Sequence, residues 1–164
     1  MKKFTKKGVT YLSSTGEVLE CLFCKIQNRE EPGSIVYEDE GFVVFKTIKP
    51  ATHLHLLVTP REHIKNVDSL KGRKGVELVN RLVEVGKIAL GDYAADAQYS
   101  FHVPPLNSID HIHLHAIASP STMDFIGRRK YQQNTFYCQS PEMVINRLMK
   151  QSAEEDQGCD SPGR

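Results

Sequence analysis

Three histidines alternate with apolar residues in the segment 111–118, whose sequence is HIHLHAIA. Side chains on a β-strand point alternately to the two faces of a sheet, so a strand here places the imidazoles on one face and the apolar side chains on the other. Neighbouring imidazoles would lie about 6.6 Å apart, which is two strand rises. Packing alone has no use for three titratable rings in a row. The segment therefore predicts a chemical site on one face of a sheet whose other face is buried.

A second predicted strand, residues 54–59, ends at Pro60 and places His53 and His55 on one side. Five of the seven histidines then belong to two strands. Histidines arranged in this way can also hold a catalytic metal. A cupin-type metal site needs a carboxylate a few residues beyond its His-x-His pair, whereas the next acid after His115 is Asp124. This spacing disfavours a catalytic metal.

The rest of the chain predicts an α+β fold. Residues 35–37 and 42–45 are β-rich and flank a turn, which predicts a hairpin, and residues 97–103 and 110–118 predict two further strands. Apolar residues at helical spacing between positions 69 and 93 predict one long helix. A final helix is expected to begin near Ser140 and to run to about residue 150. The predicted architecture is a mostly antiparallel sheet with one long helix packed on it and a C-terminal helix.

The length of 164 residues predicts a single domain, which we place at residues 15–150. Residues 1–14 contain four lysines and few apolar residues, and residues 151–164 are polar. Both ends are expected to be flexible, the first as a basic arm and the second as a tail.

The charge of the chain is balanced, with 21 basic and 20 acidic side chains and a net charge of +1, which argues against a nucleic-acid partner. No apolar run is long enough to span a membrane, and the lysine-rich N-terminus lacks the apolar region of a signal peptide. Four cysteines, two of them in a Cys-x-x-Cys pattern, indicate reduced thiols or a metal site rather than disulfides. We therefore expect a cytoplasmic or nuclear protein with no membrane partner.

Residues 20–150 resemble the histidine triad (HIT) superfamily, and within it the Hint branch. The segment 111–117 matches the His-φ-His-φ-His-φ-φ signature of that superfamily, where φ is apolar. Segments 21–26 (CLFCKI), 45–50 (FKTIKP) and 55–64 (HLLVTPREHI) follow the order and spacing of Hint proteins. Segment 101–108 (FHVPPLNS) and the C-terminal helix narrow the resemblance to one subgroup of that branch.

The resemblance implies a hydrolase that cleaves nucleoside 5′-phosphoramidates or aminoacyl-adenylates through a nucleotidyl-histidine intermediate, with no cofactor required for catalysis. It implies that His113 is the nucleophile and that His115 hydrogen-bonds the phosphate or the leaving group. His55 would orient the central imidazole, and the hydroxyl of Ser108 would donate to a phosphoryl oxygen. The nucleotide-binding residues that it implies are Leu22, Phe23, Ile26, Phe45, Thr47, Ile48 and Asn107. The implied substrate is a purine nucleotide such as an AMP conjugate, and the implied assembly is a homodimer.

One position departs from the Hint pattern. Hint proteins usually place an aspartate that accepts the ribose hydroxyls where this sequence has Thr47. A hydroxyl forms weaker hydrogen bonds than a carboxylate, so weaker recognition of ribose is expected.

Some relatives complete the Cys-x-x-Cys pair with two histidines to bind structural zinc. The resemblance assigns these four ligands to Cys21, Cys24, His63 and His111. Two thiolates and two imidazoles suit tetrahedral zinc. Cys138 and Cys159 have no comparable partners in the sequence.

Two other functions remain open at this stage. One is aprataxin-like removal of AMP from nucleic-acid ends, which the balanced charge disfavours. The other is a nucleotide-binding scaffold without catalysis, in which the histidines are a relic.

Overall fold

The N-terminal segment forms a small sheet of its own. In the computed structural model, which describes residues 1–158, strands β1 (Lys3–Lys6), β2 (Val9–Leu12) and β3 (Val18–Cys21) pair antiparallel in that order. Val9 and Tyr11 alternate with more exposed neighbours and are buried. The expectation of a flexible arm at residues 1–14 is therefore wrong for β1 and β2, because these two side chains anchor the hairpin to the domain.

A larger antiparallel sheet of six strands carries the histidines. After the short helix α1 (Leu22–Gln27), the chain forms β4 (Ile35–Glu38) and β5 (Phe42–Lys46), which are the predicted hairpin. The carboxylate of Asp39 accepts hydrogen bonds from the backbone N–H groups of Gly41 and Phe42 and closes the turn. The remaining strands are β6 (His55–Pro60), β7 (Ala97–His102), β8 (Leu114–Ala118) and β9 (Cys138–Gln139). Their order across the sheet is β4-β5-β6-β8-β7-β9.

One face of this sheet packs on the predicted long helix, α2 (Gly72–Leu90). The helix ends at Gly91, whose positive φ of 57° suits a residue without a Cβ. The side chains that β8 and the segment just before it turn toward α2 are apolar, as the alternation predicted: Ile112, Leu114, Ala116 and Ala118. The opposite face packs on α1 and the N-terminal sheet, where Phe23 and Phe45 meet edge to face.

After the short helix α3 (Phe125–Lys130), the chain ends in α4 (Pro141–Gly158). The hydroxyl of Ser140 accepts a hydrogen bond from the N–H of Met143, which makes Ser140 the predicted start of the helix. The helix runs beyond the expected residue 150, because no proline or glycine interrupts residues 151–157. The predicted tail is thus helical as far as Gly158, and its remainder, with Cys159, lies outside the described residues. None of the helices within residues 1–158 has the length and apolar character that a membrane span requires.

Candidate active site and metal-binding cluster

Two neighbouring strands and the residues just before them bring four histidines together. His115 on β8 lies opposite Leu57 of β6, so it shares a face with His55. The ring centroids of His55 and His115 are 5.1 Å apart, and those of His113 and His115 are 5.0 Å apart. All of these rings are buried, as is His111. The histidine face predicted from the alternation is present.

The strand that holds these rings is shorter than predicted. It begins at Leu114 rather than at residue 110, where Val58 is the last residue of β6 that pairs with it. Before this point the N–H of Ile112 donates to the carbonyl of Ile64 at 2.7 Å, outside the β6 ladder. His111 instead meets the end of β6 through its side chain, whose Nε2 lies 2.9 Å from the carbonyl of Pro60. The prediction that His53 shares a strand and a face with His55 is wrong. His53 precedes β6, is exposed and contacts the ring of Tyr93.

The hydrogen bond of His113 determines which of its nitrogens is free. Its Nδ1 lies 2.7 Å from the backbone carbonyl of His111. A carbonyl oxygen can only accept, so Nδ1 carries the proton and Nε2 of the neutral ring keeps its lone pair. His113 is therefore held in the tautomer of a nucleophile.

A chain of hydrogen bonds assigns the opposite tautomer to His115. The backbone N–H of Ala51 donates to Nδ1 of His55 at 3.1 Å, which leaves the proton of His55 on Nε2. That Nε2–H points at Nδ1 of His115, 2.9 Å away, so His115 is protonated on Nε2. This Nε2 is buried and has no hydrogen-bond partner among the residues that the structure describes. His115 therefore has one unused N–H donor beside His113.

Burial keeps these imidazoles neutral. Desolvation lowers the pKa of His55 to about 3 and that of His113 to about 4. Burial also lowers the pKa of His115 well below its usual value, and the neighbouring imidazoles and Lys130 act in the same direction. At neutral pH the cluster therefore holds lone pairs and N–H donors rather than imidazolium charges.

The same burial predicts that acid destabilises the protein. Because the pKa values of His55, His102 and His115 are lower in the folded protein than the ordinary 6.5, the unfolded chain takes up protons first as the pH falls below 6.5. We expect the free energy of unfolding to fall by roughly 2–3 kcal/mol between pH 6.5 and pH 5.5. Urea unfolding at the two pH values measures this change. The variant His53→Gln, at an exposed histidine, should show the same fall, and a free energy that is constant over this range would contradict the prediction.

Two residues of the cluster were not found from the sequence. His102 on β7 packs its ring 4.8 Å from that of His115, and its Nε2–H donates to the carbonyl of Lys130. Tyr131 contacts His55, His102 and His115 with ring centroids 5.0–5.2 Å away. The signal for His102 lies in its register, since Ser100 pairs with His115 and the residue two further along β7 shares its face. His102 can therefore be assigned to the cluster only when the pairing of β7 with β8 is known.

The residues expected to bind the nucleotide divide into two groups. Phe23 lies edge to face with His113 at 5.2 Å, and Ile26 and Phe45 are buried with it in one apolar cluster. Leu22 is partly exposed, and Ile48 is 94% exposed and packs against nothing that would hide it from solvent. The structure thus places an apolar floor beside His113 and leaves Ile48 exposed.

The polar residues of the expected nucleotide site differ in their exposure and in the hydrogen bonds that they already make within the protein. The hydroxyl of Thr47 accepts a hydrogen bond from the backbone of Lys49 at 3.3 Å. Ser108 is exposed. Asn107 is buried, and its amide donates to the carboxylate of Asp110 at 2.9 Å. In this structure Asn107 therefore supports the loop rather than presenting its amide to solvent.

The four residues expected to bind zinc converge. One ligand atom from each of Cys21, Cys24, His63 and His111 lies within 4.8 Å of the others, and together they could hold a metal ion. Cys24 Sγ lies 3.6 Å from Nδ1 of His63, and both sulfurs lie 3.5 Å from Nδ1 of His111. The Nε2–H of His111 donates to Pro60, so its Nδ1 faces the sulfurs with a lone pair.

These distances match the demands of a tetrahedral ion. With Zn–S near 2.3 Å and Zn–N near 2.0–2.1 Å, the sulfur and nitrogen ligands of a tetrahedral zinc lie about 3.6 Å apart. Without a cation, burial and the neighbouring Cys21 raise the pKa of Cys24 to about 12. A bound cation removes this penalty on the thiolate, so the residues present fit a structural metal.

Comparison with known families and proteins agrees with this geometry. The family profile described as "Scavenger mRNA decapping enzyme C-term binding" matches residues 20–131, which include all the cluster histidines. The chain is 33% identical over 146 residues to adenosine 5′-monophosphoramidase HINT3 of Xenopus tropicalis, a match that covers 86% of this chain and 95% of that protein. It is 39% identical over 103 residues to the bifunctional adenosine 5′-phosphosulfate phosphorylase/adenylylsulfatase HINT4 of Arabidopsis thaliana, covering 61% of this chain and 70% of that one.

Solved structures show the same fold. A HIT family hydrolase from Clostridium thermocellum superposes with a TM-score of 0.58 at 26% identity and covers 67% of this chain and 99% of its own. A HIT family hydrolase from Legionella pneumophila superposes with a TM-score of 0.56 at 30% identity, covering 61% of this chain and 93% of its own.

Proposed function

The chain belongs to the histidine triad superfamily, and on that premise we propose that it hydrolyses nucleoside 5′-phosphoramidates or aminoacyl-adenylates, with His113 as the nucleophile. One observation carries this proposal: the His111 carbonyl holds the proton of His113 on Nδ1 and leaves the lone pair on Nε2. The similarity to proteins named adenosine 5′-monophosphoramidase supports the substrate class.

In the first step, Nε2 of His113 attacks the α-phosphorus while the bond from phosphorus to the leaving nitrogen or oxygen breaks and its electron pair departs with the leaving group. A positive charge develops on the His113 ring. The hydrogen bond from Nδ1–H to the His111 carbonyl strengthens as that charge grows. The reserved Nε2–H of His115 donates to the leaving atom or to a phosphoryl oxygen, and His55 holds His115 in the required tautomer.

In the second step, water attacks the phosphorus of the nucleotidyl-histidine and loses one proton, which balances the proton that a leaving nitrogen takes up in the first step. The P–N bond to His113 breaks, the nucleoside monophosphate leaves, and Nε2 recovers its lone pair. Splitting one difficult displacement into two easier ones is the advantage of a covalent intermediate. Ser108 on the exposed loop donates its hydroxyl to a phosphoryl oxygen.

The base of the nucleotide packs on the apolar floor of Phe23, Ile26 and Phe45, and the exposed Leu22 and Ile48 close over it. In this arrangement Thr47 would face the ribose, and Asn107 supports the Ser108 loop. The Hint resemblance also suggests a homodimer, which sedimentation would measure.

Thr47 should make ribose recognition weak. We expect Thr47→Asp to tighten AMP binding by roughly 1–2 kcal/mol, about 5- to 30-fold, because a carboxylate accepts charge-assisted hydrogen bonds from the ribose hydroxyls. Binding of 2′-deoxy-AMP should tighten less. Calorimetric titration of both nucleotides against both proteins measures the effect. Unchanged or weaker AMP binding in the variant would show that the ribose is not held at position 47.

We further infer that the metal held by Cys21, Cys24, His63 and His111 is zinc. When bound, zinc neutralises the two thiolates and ties the start of α1 to His111, two residues before the nucleophile. It takes no part in the reaction.

The experiment that tests the proposed function is turnover of adenosine 5′-phosphoramidate under pre-steady-state conditions. We expect a burst of leaving-group release and a protein species heavier by one AMP moiety, with the added mass on His113. A protein that binds AMP but shows neither turnover nor adduct would be a nucleotide-binding scaffold. Preference for adenylylated nucleic-acid ends over the phosphoramidate would favour the aprataxin-like alternative.

A further inference from the structure

The turn between β1 and β2 rests on the loop that leads to the histidines. The carbonyl of Lys7 accepts a hydrogen bond from the N–H of Asp110 at 3.0 Å, and the carbonyl of Gly8 accepts one from the N–H of Leu22 at 2.9 Å. Lys7 and Gly8 both have positive φ, of 49° and 68°. A Cβ on Gly8 would lie only 2.7 Å from Cδ1 of Ile109, so the turn is seated closely on the loop.

From these contacts we propose that Lys7 is a positioning residue, which holds the loop 105–108 in place and thereby sets the position of Ser108 at the phosphate. This inference rests on the proposed function, because Ser108 acts on the phosphate only if the protein binds one.

The ammonium group of Lys7 directs all three of its N–H donors at this loop. A lysine ammonium has three N–H donors. Nζ of Lys7 donates to the carbonyl of Asn107 at 2.7 Å, to Oδ1 of Asn107 at 2.5 Å, and to the carbonyl of Pro105. All three acceptors belong to residues 105–107, immediately before Ser108. One side chain from the N-terminal sheet thus fixes both ends of this short stretch of backbone.

A second residue of the hairpin acts on the same loop through a carboxylate. The hydroxyl of Tyr11 donates to Oδ2 of the buried Asp110 at 3.0 Å, and Asp110 accepts the amide of Asn107 on Oδ1 at 2.9 Å. Asn107 is therefore held on one side by Lys7 and on the other by Asp110. Burial is the largest influence on the pKa of Lys7 and lowers it, which agrees with an ammonium group partly withdrawn from water.

The loop also borders the nucleophile. A cavity of about 10 Å³ is lined by Asn107 together with His102, His111 and His113. A space of this size holds at most one water molecule. A shift of Asn107 would therefore change the packing beside His113 as well as the position of Ser108.

Charge alone does not explain these contacts. Lys3 and Lys6 lie on the exposed strand β1 of the same hairpin. Lys6 precedes Lys7 directly and is exposed, which makes Lys6→Met a matched control for removing a charge. Phe4 stacks on Tyr11 with ring centroids 5.2 Å apart, so Phe4→Ala weakens the hairpin while leaving the ammonium of Lys7 in place.

The first measurement is amide hydrogen exchange of residues 103–110 in the full-length protein, which needs no substrate. We expect Lys7→Met to raise the exchange rate of this loop by at least about 10-fold, since three hydrogen bonds to it are lost. Lys6→Met and Phe4→Ala should leave it within about twofold of the parent protein. Lys7→Arg keeps the charge and several donors and should restore part of the protection.

The second measurement is a double-mutant cycle with adenosine 5′-phosphoramidate. Lys7→Met should lower kcat roughly 10-fold with little change in KM, because a misplaced phosphate donor costs rate rather than base binding. If Lys7 acts through Ser108, Lys7→Met should cost little more once Ser108→Ala is present. Multiplicative losses would show a general structural effect and would overturn the proposal.

The two measurements separate this proposal from the proposed function. If the parent protein turns over no phosphoramidate, the proposed function fails while the exchange experiment still decides whether Lys7 holds the loop. Unchanged exchange of residues 103–110 in Lys7→Met, or an equal increase in Phe4→Ala, would overturn the positioning role whatever the activity.

Discussion

Replacing His113 by asparagine is expected to reduce turnover of adenosine 5′-phosphoramidate by at least about 10³-fold, because the variant has no imidazole lone pair to attack phosphorus. The fold should survive, since asparagine is smaller than histidine and its amide N–H can still reach the His111 carbonyl that now accepts from Nδ1. Steady-state rates, together with mass spectrometry for the AMP adduct, measure both consequences. The adduct should be absent from the variant.

His53→Asn is the matched control for this substitution. It makes the same chemical change at an exposed histidine outside β6, and its turnover should stay within about twofold of the parent protein, as for most surface changes. Comparable rates for His113→Asn and the parent protein would rule out a covalent intermediate on His113. An adduct that persists in the variant would move the nucleophile to another side chain.

The histidine face could be predicted because the pattern has a period of two and the fold obeys it. The apolar partners Ile112 and Leu114 pack toward α2, and His113 and His115 face the other way. What the pattern could not show is where the strand begins. That boundary depends on tertiary pairing: the ladder with β6 ends at Val58 and Leu114, and the N–H of Ile112 donates to Ile64 instead.

For the N-terminal segment, by contrast, the sequence pattern did not predict the structure. Its lysines are typical of a solvated arm, yet Val9 and Tyr11 are buried. Four residues are too short for a period of two to stand out. The burial depends on pairing with β3 and on the loop at Ile109, which lies about one hundred residues along the chain. Lys7 was missed for the same reason, since its three acceptors lie about one hundred residues along the chain.

Two separate sets of contacts hold the histidines around His113. The β6–β8 ladder and the hydrogen bond between His55 and His115 fix one side. His111 fixes the other side, because its carbonyl accepts from His113 while its ring joins the Cys21 and Cys24 thiols. The four residues Cys21, Cys24, His63 and His111 thus reach His113 through the backbone of His111 and through Phe23 on α1, and their main contribution should be to stability.

Metal content and stability should therefore fall together when one thiol is removed. We expect the purified protein to contain about one zinc per chain and Cys24→Ser to contain almost none. The variant should lose about 3 kcal/mol or more of unfolding free energy, because the binding energy of a structural metal is folding energy. For a domain of this size, that loss lowers Tm by roughly 6–12 °C. Metal analysis and thermal unfolding in the presence and absence of chelator measure the two effects.

Cys138→Ala distinguishes loss of the metal from loss of a buried cysteine. Cys138 is as deeply buried as Cys21 but lies on β9, outside the four-residue cluster. This variant should keep its zinc, and its Tm should fall further when chelator is added, as in the parent protein. Cys24→Ser should no longer respond to chelator, because it has no metal to lose. A parent protein purified without chelator that contains no zinc, or a Cys24→Ser variant that retains it, would show that the four residues do not form a zinc site.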